Sequence, residues 1–502
     1  MMRRDLLKAS LFADAAILFG KPGRGLAAED QNQNAFPEAT GLTKYIAQFV
    51  VNTKWDDIDS DVLALGKKSI LDGFGLALAG SVAESGSISR KYIQTLGPCE
   101  GKSTIIGSSL KSAPRFAAFV NGVSIHADDF DDTQLAVSKD RVYGLLTHPT
   151  APVLPPSFAI AELAKVSGRD FLLAYHLGVE VETKLAEASS PRHYEDGFHS
   201  TGTFGTLGSA TACAKMHLLP LEKILNTYGI AAAEAGGLRE NFGTMTKPFQ
   251  AGHAAENGVV AADLARLGWT AAGQILEAQR GFFHAYSRTY DPSAIMNKLG
   301  NPWSFANPGV SLKPYPSGSL THPAMTALLR LIQKYNIAPS EVDKLDVGTN
   351  HYMPNALIHH KPLTGLQAKF SMEFCMSVLL LERKAVLNQF TDEYVRRPEV
   401  QDMIRRVNFY VDPIAEKAGF DKMTSLVTVH LKDGTTFKDQ ADFAKGSPAD
   451  PMTFEEAAAK FRGCADYAKW PTAKTEKIID FVRTLESAPD VGALSPLLSI
   501  DK

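Results

Sequence analysis

The chain has 502 residues, more than one hydrophobic core normally serves, so two or three domains are expected. Hydrophobic residues make up 45% and charged residues 21%, ordinary proportions for a globular protein, and a formal net charge of −3 excludes a general electrostatic attraction to nucleic acid or anionic membranes. A small ligand is the better expectation.

The N-terminus is different in kind. Met2-Arg3-Arg4-Asp5-Leu6-Leu7-Lys8 is followed by the mostly apolar Ala9 to Gly20 and then by Gly25-Leu26-Ala27-Ala28. Paired arginines, a moderately apolar run and a small-residue cleavage site resemble a twin-arginine export signal, with Asp14 as an irregularity. The alternative is a disordered basic leader. On the export reading, the mature protein begins near Ala28 or Glu29 in a bacterial periplasm, and residues 1–36 lie outside the fold. The apolar run is too short for a permanent membrane anchor.

From Thr43 to about Gly281 the apolar spacing is mostly helical and alanine is abundant, as in Asp61–Ala79, Phe116–Val123, Pro155–Val166 and Asp170–Ala188. Pro155 and Pro156 are read as a helix start, and Pro220 as the break between Gly205–Leu218 and Leu221–Ala235. Small residues dominate Gly202 to Ala210, which allows close approach of backbones at helix crossings or ligand sites. Between Asn301 and Gly318, Pro302, Pro308, Pro314 and Pro316 interrupt the helical pattern and mark a boundary.

Beyond that boundary, His322–Tyr335 and Ala368–Leu381 read as helices, and Lys344–Asn350 and Val407–Val411 as strands. Ser425–Leu431, Asp433-Gly434 and Thr435–Lys438 read as a hairpin. Thr453-Phe454-Glu455-Glu456 opens a further helix with a capping box, and Lys474–Leu485 is another amphipathic segment. The expected fold is therefore mainly α. Residues 37–307 and 450–502 supply a large helical part from both chain ends, and 308–449 form a smaller α+β unit.

Cys99, Cys213, Cys375 and Cys464 lie far apart, with no CxxC pair and no histidine at zinc spacing, so they form neither a disulfide framework nor a structural zinc site. Their expected role is as small buried apolar residues.

Three groups of residues carry possible chemistry. Asp128-Asp129-Phe130-Asp131-Asp132 puts four carboxylates in five positions. It satisfies the DDxxD pattern by which helical prenyltransferases hold magnesium, but the second ligand set that such a site needs is missing downstream, so no metal is expected. His148, in Thr147-His148-Pro149, and His199, in Phe198-His199-Ser200, are proton-transfer candidates at element boundaries. The bland reading of each is a histidine with its hydrogen bonds satisfied. Lys247 before Pro248 and Lys313 before Pro314 sit in stiffened backbone that fixes where an ammonium points, which suits a substrate carboxylate; solvation is the alternative.

Seven collinear segments then point one way. They are His126–Thr133, Thr147–Leu154, Phe198–Gly205, Thr246–Ala255, Lys313–Ser317, Thr321–Pro323 and Ala368–Met372, and together they resemble the MmgE/PrpD family over roughly residues 40–490. The resemblance implies a helical domain from both chain ends with an α+β lid, a homodimer, and lyase or isomerase chemistry on a small di- or tricarboxylate without metal or organic cofactor. A carbanion is formed or discharged next to a carboxylate, with a hydro-lyase (dehydratase) the leading expectation and an epimerase, a decarboxylase or a non-catalytic carboxylate binder the alternatives. It places Asp129 and Thr133 at the site wall, His148 and His199 in proton transfer, and Lys247 and Lys313 on substrate carboxylates. Two departures matter. The position five after Lys313, a histidine in the family's decarboxylases and often a cysteine in other members, is Gly318; and the stretch from Gln134 to Thr147 is long, with Arg141 able to grip a carboxylate in bidentate fashion.

Overall fold

Alanine, glycine and regularly spaced apolar residues build the first part of the chain as packed helices: α1 (Ser60–Val82), α2 (Pro114–His126), α3 (Thr150–Ala164), α4 (Gly168–Ser189), α5 (Ser200–Met216) and α6 (Thr246–Leu267). The computed structural model describes residues 39–97, 101–134, 147–189, 192–419 and 422–500, and over these the protein is mainly helical. The leader 1–36, Cys99 and Arg141 lie outside the described residues. Cys213, Cys375 and Cys464 are free and buried. No helix among the described residues is long and apolar enough to cross a membrane.

Small residues set how closely these helices approach. A Cβ on Gly122 of α2 would lie 2.8 Å from the Cα of Gly252 in α6, and one on Gly258 of α6 would lie 2.5 Å from the backbone nitrogen of Ala210 in α5. Only hydrogen fits at either place. The contacts bring the C-terminal end of α2 and the N-terminal ends of α5 and α6 to one region, where the functional candidates sit.

Pro155 and Pro156 do not open a helix as the sequence suggests. The helix begins at Thr150 and both prolines lie inside it. Thr150 can start the helix because the Asp132 carboxylate accepts from its N–H (3.2 Å) and its hydroxyl (2.6 Å), a partner supplied from outside the local sequence.

Later in the chain α7 (His322–Tyr335) closes on Asn336 in the left-handed conformation (φ 50°), and its buried Ala324, Leu328, Leu331 and Ile332 form one stripe. That stripe joins one apolar core with a four-stranded sheet and with α8 (Met372–Glu382). The strands are β1 (Val342–Thr349), β2 (Val407–Val411), β3 (Ser425–Leu431) and β4 (Thr436–Ala441), in the order β2-β1-β3-β4. β1 pairs parallel with β2 (Val347 opposite Phe409) and antiparallel with β3 (Val347 opposite Val427), and β3 returns as β4. The turn between them uses Gly434 at φ 89°, the conformation for which Asp-Gly is the preferred pair.

The last helices, α9 (Phe454–Tyr467) and α10 (Thr472–Arg483), pack against α1 from the other end of the chain. A Cβ on Gly75 would lie 2.8 Å from the Phe461 ring, and Lys460 of α9 pairs with Asp72 of α1 at 2.8 Å. The described residues between 39 and 500 pack as one compact unit.

Candidate active site

After α2 the chain must turn sharply, and it does so at Asp129, whose backbone adopts φ 49°. Aspartate tolerates this region better than most residues, though at some cost. The turn sends the four carboxylates in different directions. Asp128 meets the Lys369 ammonium at 2.7 Å, Asp129 meets Lys247 and Lys313, Asp131 meets His126 Nδ1 at 2.8 Å, and Asp132 caps α3. A shared magnesium cage on DDxxD is therefore absent from this segment.

Asp129 is the centre of charge. One carboxylate oxygen accepts from Lys247 in a very short hydrogen bond. The other accepts from Lys313 at 3.0 Å, and Lys313 also donates to the Asp129 carbonyl at 2.8 Å. Burial opposes ionisation of Asp129, but the two ammoniums outweigh it and hold the carboxyl well below the usual range. Lys313 is brought here by a short ladder in which Thr133 and Ser311 exchange both backbone hydrogen bonds at 2.9 Å. Burial lowers the Lys313 pKa, with Asp129 acting against it.

Lys247 stands at the start of α6 and reaches four groups. It donates to Asp129 and to His126 Nε2 (2.8 Å), and it lies 5.2 and 5.5 Å from the ring centroids of Phe242 and Phe370. His126 thus accepts at Nε2 and donates at Nδ1 to Asp131. Burial, then Lys247, pushes its pKa well below the ordinary value. His126, Asp129, Asp131 and His148 offer ligand atoms within 4.8 Å of one another, a geometry a metal ion could use. Lys247 already holds His126 Nε2 and one Asp129 oxygen, and Asp131 holds His126 Nδ1, so a cation would have to break these bonds, and the donor set fits a metal poorly.

His148 faces the same charge. Its Nδ1 lies 3.0 Å from the carbonyl oxygen of Asp132 and 3.1 Å from Thr133 Oγ1, and its Nε2 lies 4.0 Å from Asp129. The backbone N–H of His148 donates to Thr201 Oγ1 at 3.0 Å, which locks the residue to α5. Burial, followed by Lys313 and Lys247, pushes its pKa well below 6.5. Asp129, Thr133, His148, Lys247 and Lys313 all line one small cavity, closed on its other side by residues that include Gly318, Leu357 and Phe370.

Two family models match the chain. Residues 44–295 match the MmgE/PrpD N-terminal domain and residues 315–487 the MmgE/PrpD C-terminal domain. The chain belongs to the MmgE/PrpD family. It is 30% identical to human cis-aconitate decarboxylase over 470 residues (91% of this chain, 94% of the relative) and 29% identical to the mouse enzyme over 472 residues (91% and 93%). Cis-aconitate decarboxylase from Aspergillus terreus is 26% identical over 490 residues (92% and 96%). These relatives support a lyase that acts on a carboxylate.

Not every expected site residue of this MmgE/PrpD protein reaches the cavity. His199 stands behind it: Nδ1 bonds Gln250 Oε1 at 2.6 Å, the ring stacks on His126 at 5.7 Å, and Nε2 is buried without a hydrogen-bond partner. Burial lowers its pKa as well. Arg141 lies outside the described residues.

Other cavity residues carry no local sequence signal. Tyr194 lines the cavity with the Arg239 guanidinium 3.8 Å over its ring, and Ser319 presents a buried hydroxyl without a partner. His126 and Asp131 belong to the segment His126–Thr133, but the sequence assigns neither of them a role at the site. A helix ending in histidine, five residues before an aspartate, was the signal available for that pair.

Proposed function

We propose that this protein is a cofactor-independent hydro-lyase that removes a proton next to a carboxylate of a small hydroxy acid and expels water. One observation carries the reading: the unbonded Nε2 of a neutral His148 shares a cavity with Lys247 and Lys313. Because the Asp132 carbonyl can only accept, Nδ1 carries the ring proton and Nε2 presents a lone pair. That is the form of a base. Lys247 and Lys313, with the N-terminal ends of α5 and α6 nearby, are placed to hold a substrate carboxylate and the charge that spreads onto it.

The step balances without a further reagent. His148 Nε2 takes the proton as the C–H bond breaks, the electron pair forms the C=C bond, and the C–O bond to the hydroxyl breaks. The imidazolium returns its proton to the departing hydroxyl, which leaves as water. A bound carboxylate would also offset the two ammoniums that depress the His148 pKa, so the base strengthens when substrate is present.

The second reading, decarboxylation, rests on the three relatives named above, each of which bears that activity in its name. It needs a proton donor at the carbon that loses carbon dioxide; neutral His148 lacks a proton at Nε2, and Gly318 offers none. The test is proton NMR in deuterium oxide with a panel of hydroxy and unsaturated acids. Loss of water with formation of an alkene supports the proposal. Release of carbon dioxide from an unsaturated acid replaces it with the second reading, and exchange of an α-proton without net loss points to an epimerase.

Three further elements belong to the proposal. Segment 308–449 acts as a lid, since the cavity takes Gly318, Leu357 and Phe370 from it and Asp129, His148 and Lys247 from the helical part. The protein works as a homodimer. It is exported to the periplasm through the Arg3-Arg4 leader, so that Arg3→Lys with Arg4→Lys retains it in the cytoplasm.

A further inference from the structure

The cavity lining joins charged and apolar residues. Beside Asp129, Lys247, Lys313 and His148 it holds Gly318, Leu320, Ala356, Leu357 and Phe370, a stretch of wall without a polar side-chain atom, in which Phe370 has the Lys247 ammonium 5.5 Å from its ring centroid. Gly318 is not required by the backbone there, since φ −54° and ψ 130° are open to any residue. A Cβ at this position would meet Leu357 Cδ2 at 3.3 Å, the Lys369 carbonyl oxygen at 3.6 Å and Phe370 Cδ1 at 3.7 Å, so it fits once the Leu357 methyl gives way slightly. The missing side chain therefore leaves a shallow recess bounded by carbon and by one main-chain carbonyl oxygen, which repels a carboxylate.

Charge is accounted for around it. The two ammoniums that line the cavity share the single carboxylate of Asp129, which leaves one positive charge from that trio. Of the nearby cations outside the cavity lining, Lys369 is paired with Asp128 at 2.7 Å and Lys460 with Asp72 at 2.8 Å, while Arg239 stands behind the Tyr194 ring, its Nη1 on the Tyr194 carbonyl at 2.8 Å and its Nη2 on the Asn355 carbonyl at 3.4 Å. Beside the wall, Ser319 Oγ is buried and unpartnered, a neutral group that can bond a substrate hydroxyl but cannot balance an anion. A carboxylate pressed into the recess would lose its water without gaining a counter-ion, whereas an alkyl group would gain by leaving water.

We infer that the substrate is a hydroxy acid whose carboxylates lie toward Lys247 and Lys313 and whose other arm, seated against Gly318, Leu357 and Phe370, is an alkyl group and not a further carboxylate. This rests on the carboxylate-site reading above and names the substrate class for it.

The test compares citrate with its counterparts in which one CH2COO− arm is replaced by methyl, ethyl or isobutyl, using calorimetric binding to the full-length protein and turnover by NMR. At least one alkyl counterpart is expected to bind at least about tenfold more tightly than citrate. Gly318→Arg, which puts a cation into the recess, is expected to reverse that order while circular dichroism and melting temperature stay near wild type. If citrate binds more tightly than every alkyl counterpart, the inference fails and the carboxylate site stands. If neither citrate nor any counterpart binds or reacts, while Lys247→Ala and wild type behave alike, the carboxylate-site reading fails and takes the inference with it. Should Gly318→Arg unfold, Leu357→Lys carries the same reversal test from the facing side of the recess.

Discussion

The Nδ1 of His148 lies 3.0 Å from the main-chain carbonyl oxygen of Asp132, and this contact sets the tautomer of the ring. A carbonyl cannot donate, so the proton sits on Nδ1 and the lone pair on Nε2 points toward Asp129 and the cavity. His148→Gln keeps a side-chain amide in the space but no base, and turnover is expected to fall by at least about two orders of magnitude. Because burial and the two lysines depress the His148 pKa well below 6.5, the base stays neutral as pH falls through 6.5. The profile of kcat/KM should therefore show no loss centred on 6.5. A limb at that pH which persists in Asp131→Asn would argue against His148 as the base.

Asp129 and Asp131 are two residues apart but differ in what they hold. Asp129 balances two buried ammoniums, while burial pushes Asp131 up to about 7, so near neutral pH the latter is already partly protonated. Asp129→Asn leaves Lys247 and Lys313 facing each other unpaired, and removal of one partner from a buried ion pair costs about 3–5 kcal/mol. Asp131→Asn changes the partner of His126 Nδ1 and removes a carboxyl 3.5 Å from His148 Nδ1, but it leaves both ammoniums paired with Asp129. Both turnover and melting temperature should fall further in Asp129→Asn, and the reverse ranking would mean that Asp131 carries the essential charge.

Much of this site was legible in the sequence. His148, Lys247 and Lys313 stand out because a proline follows each and fixes its backbone, Asp129 and Thr133 were placed at the site wall by the family resemblance, and the Asp433-Gly434 hairpin follows from turn chemistry alone. His126 was hidden because it closes a helix of apolar periodicity and reads as a core residue. Tyr194 and Phe370 reach the cavity only through tertiary packing, which leaves no trace in local spacing. His199 differs from His148 in a way its local context does not show: its Nδ1 bonds Gln250, 51 residues away, and the ring is not part of the cavity lining.

The position of His199 alters what its replacement should do. It touches Gln250 and stacks on His126, which in turn accepts from Lys247, so its effect on the substrate passes through two other residues. His199→Gln is expected to lower kcat by less than His148→Gln does, with KM changed because Lys247 loses its support. Equal losses in the two variants, confined to kcat, would place His199 in direct contact with the reacting atoms.

Lys247→Ala removes one of the two ammoniums on Asp129, but Lys313 keeps that carboxylate paired at 3.0 Å. Folding should survive, while KM rises or turnover disappears, because a substrate carboxylate loses its contact beside Phe242 and Phe370. Steady-state kinetics and a thermal melt on the same preparation separate the two effects. Unchanged kinetics would remove Lys247 from substrate binding.

Asp132 permits a test of burial without the substrate. Its carboxyl accepts from the Thr150 N–H and meets the Thr150 hydroxyl, which in turn lies 2.6 Å from the Tyr175 hydroxyl. Burial raises its pKa to about 7, above the value of about 3.9 for an unfolded aspartate. The folded state therefore holds a proton that the unfolded state releases between these two pH values, and the stability it confers is complete at low pH and lost as pH rises toward 7. An asparagine at 132 can accept from the Thr150 N–H and donate to its hydroxyl, so Asp132→Asn keeps the cap of α3 without the titration. The melting temperature of the variant minus that of wild type should rise from pH 4 to pH 7 and then level off. A difference that falls or stays flat over that range would mean that Asp132 is ionised in the folded protein.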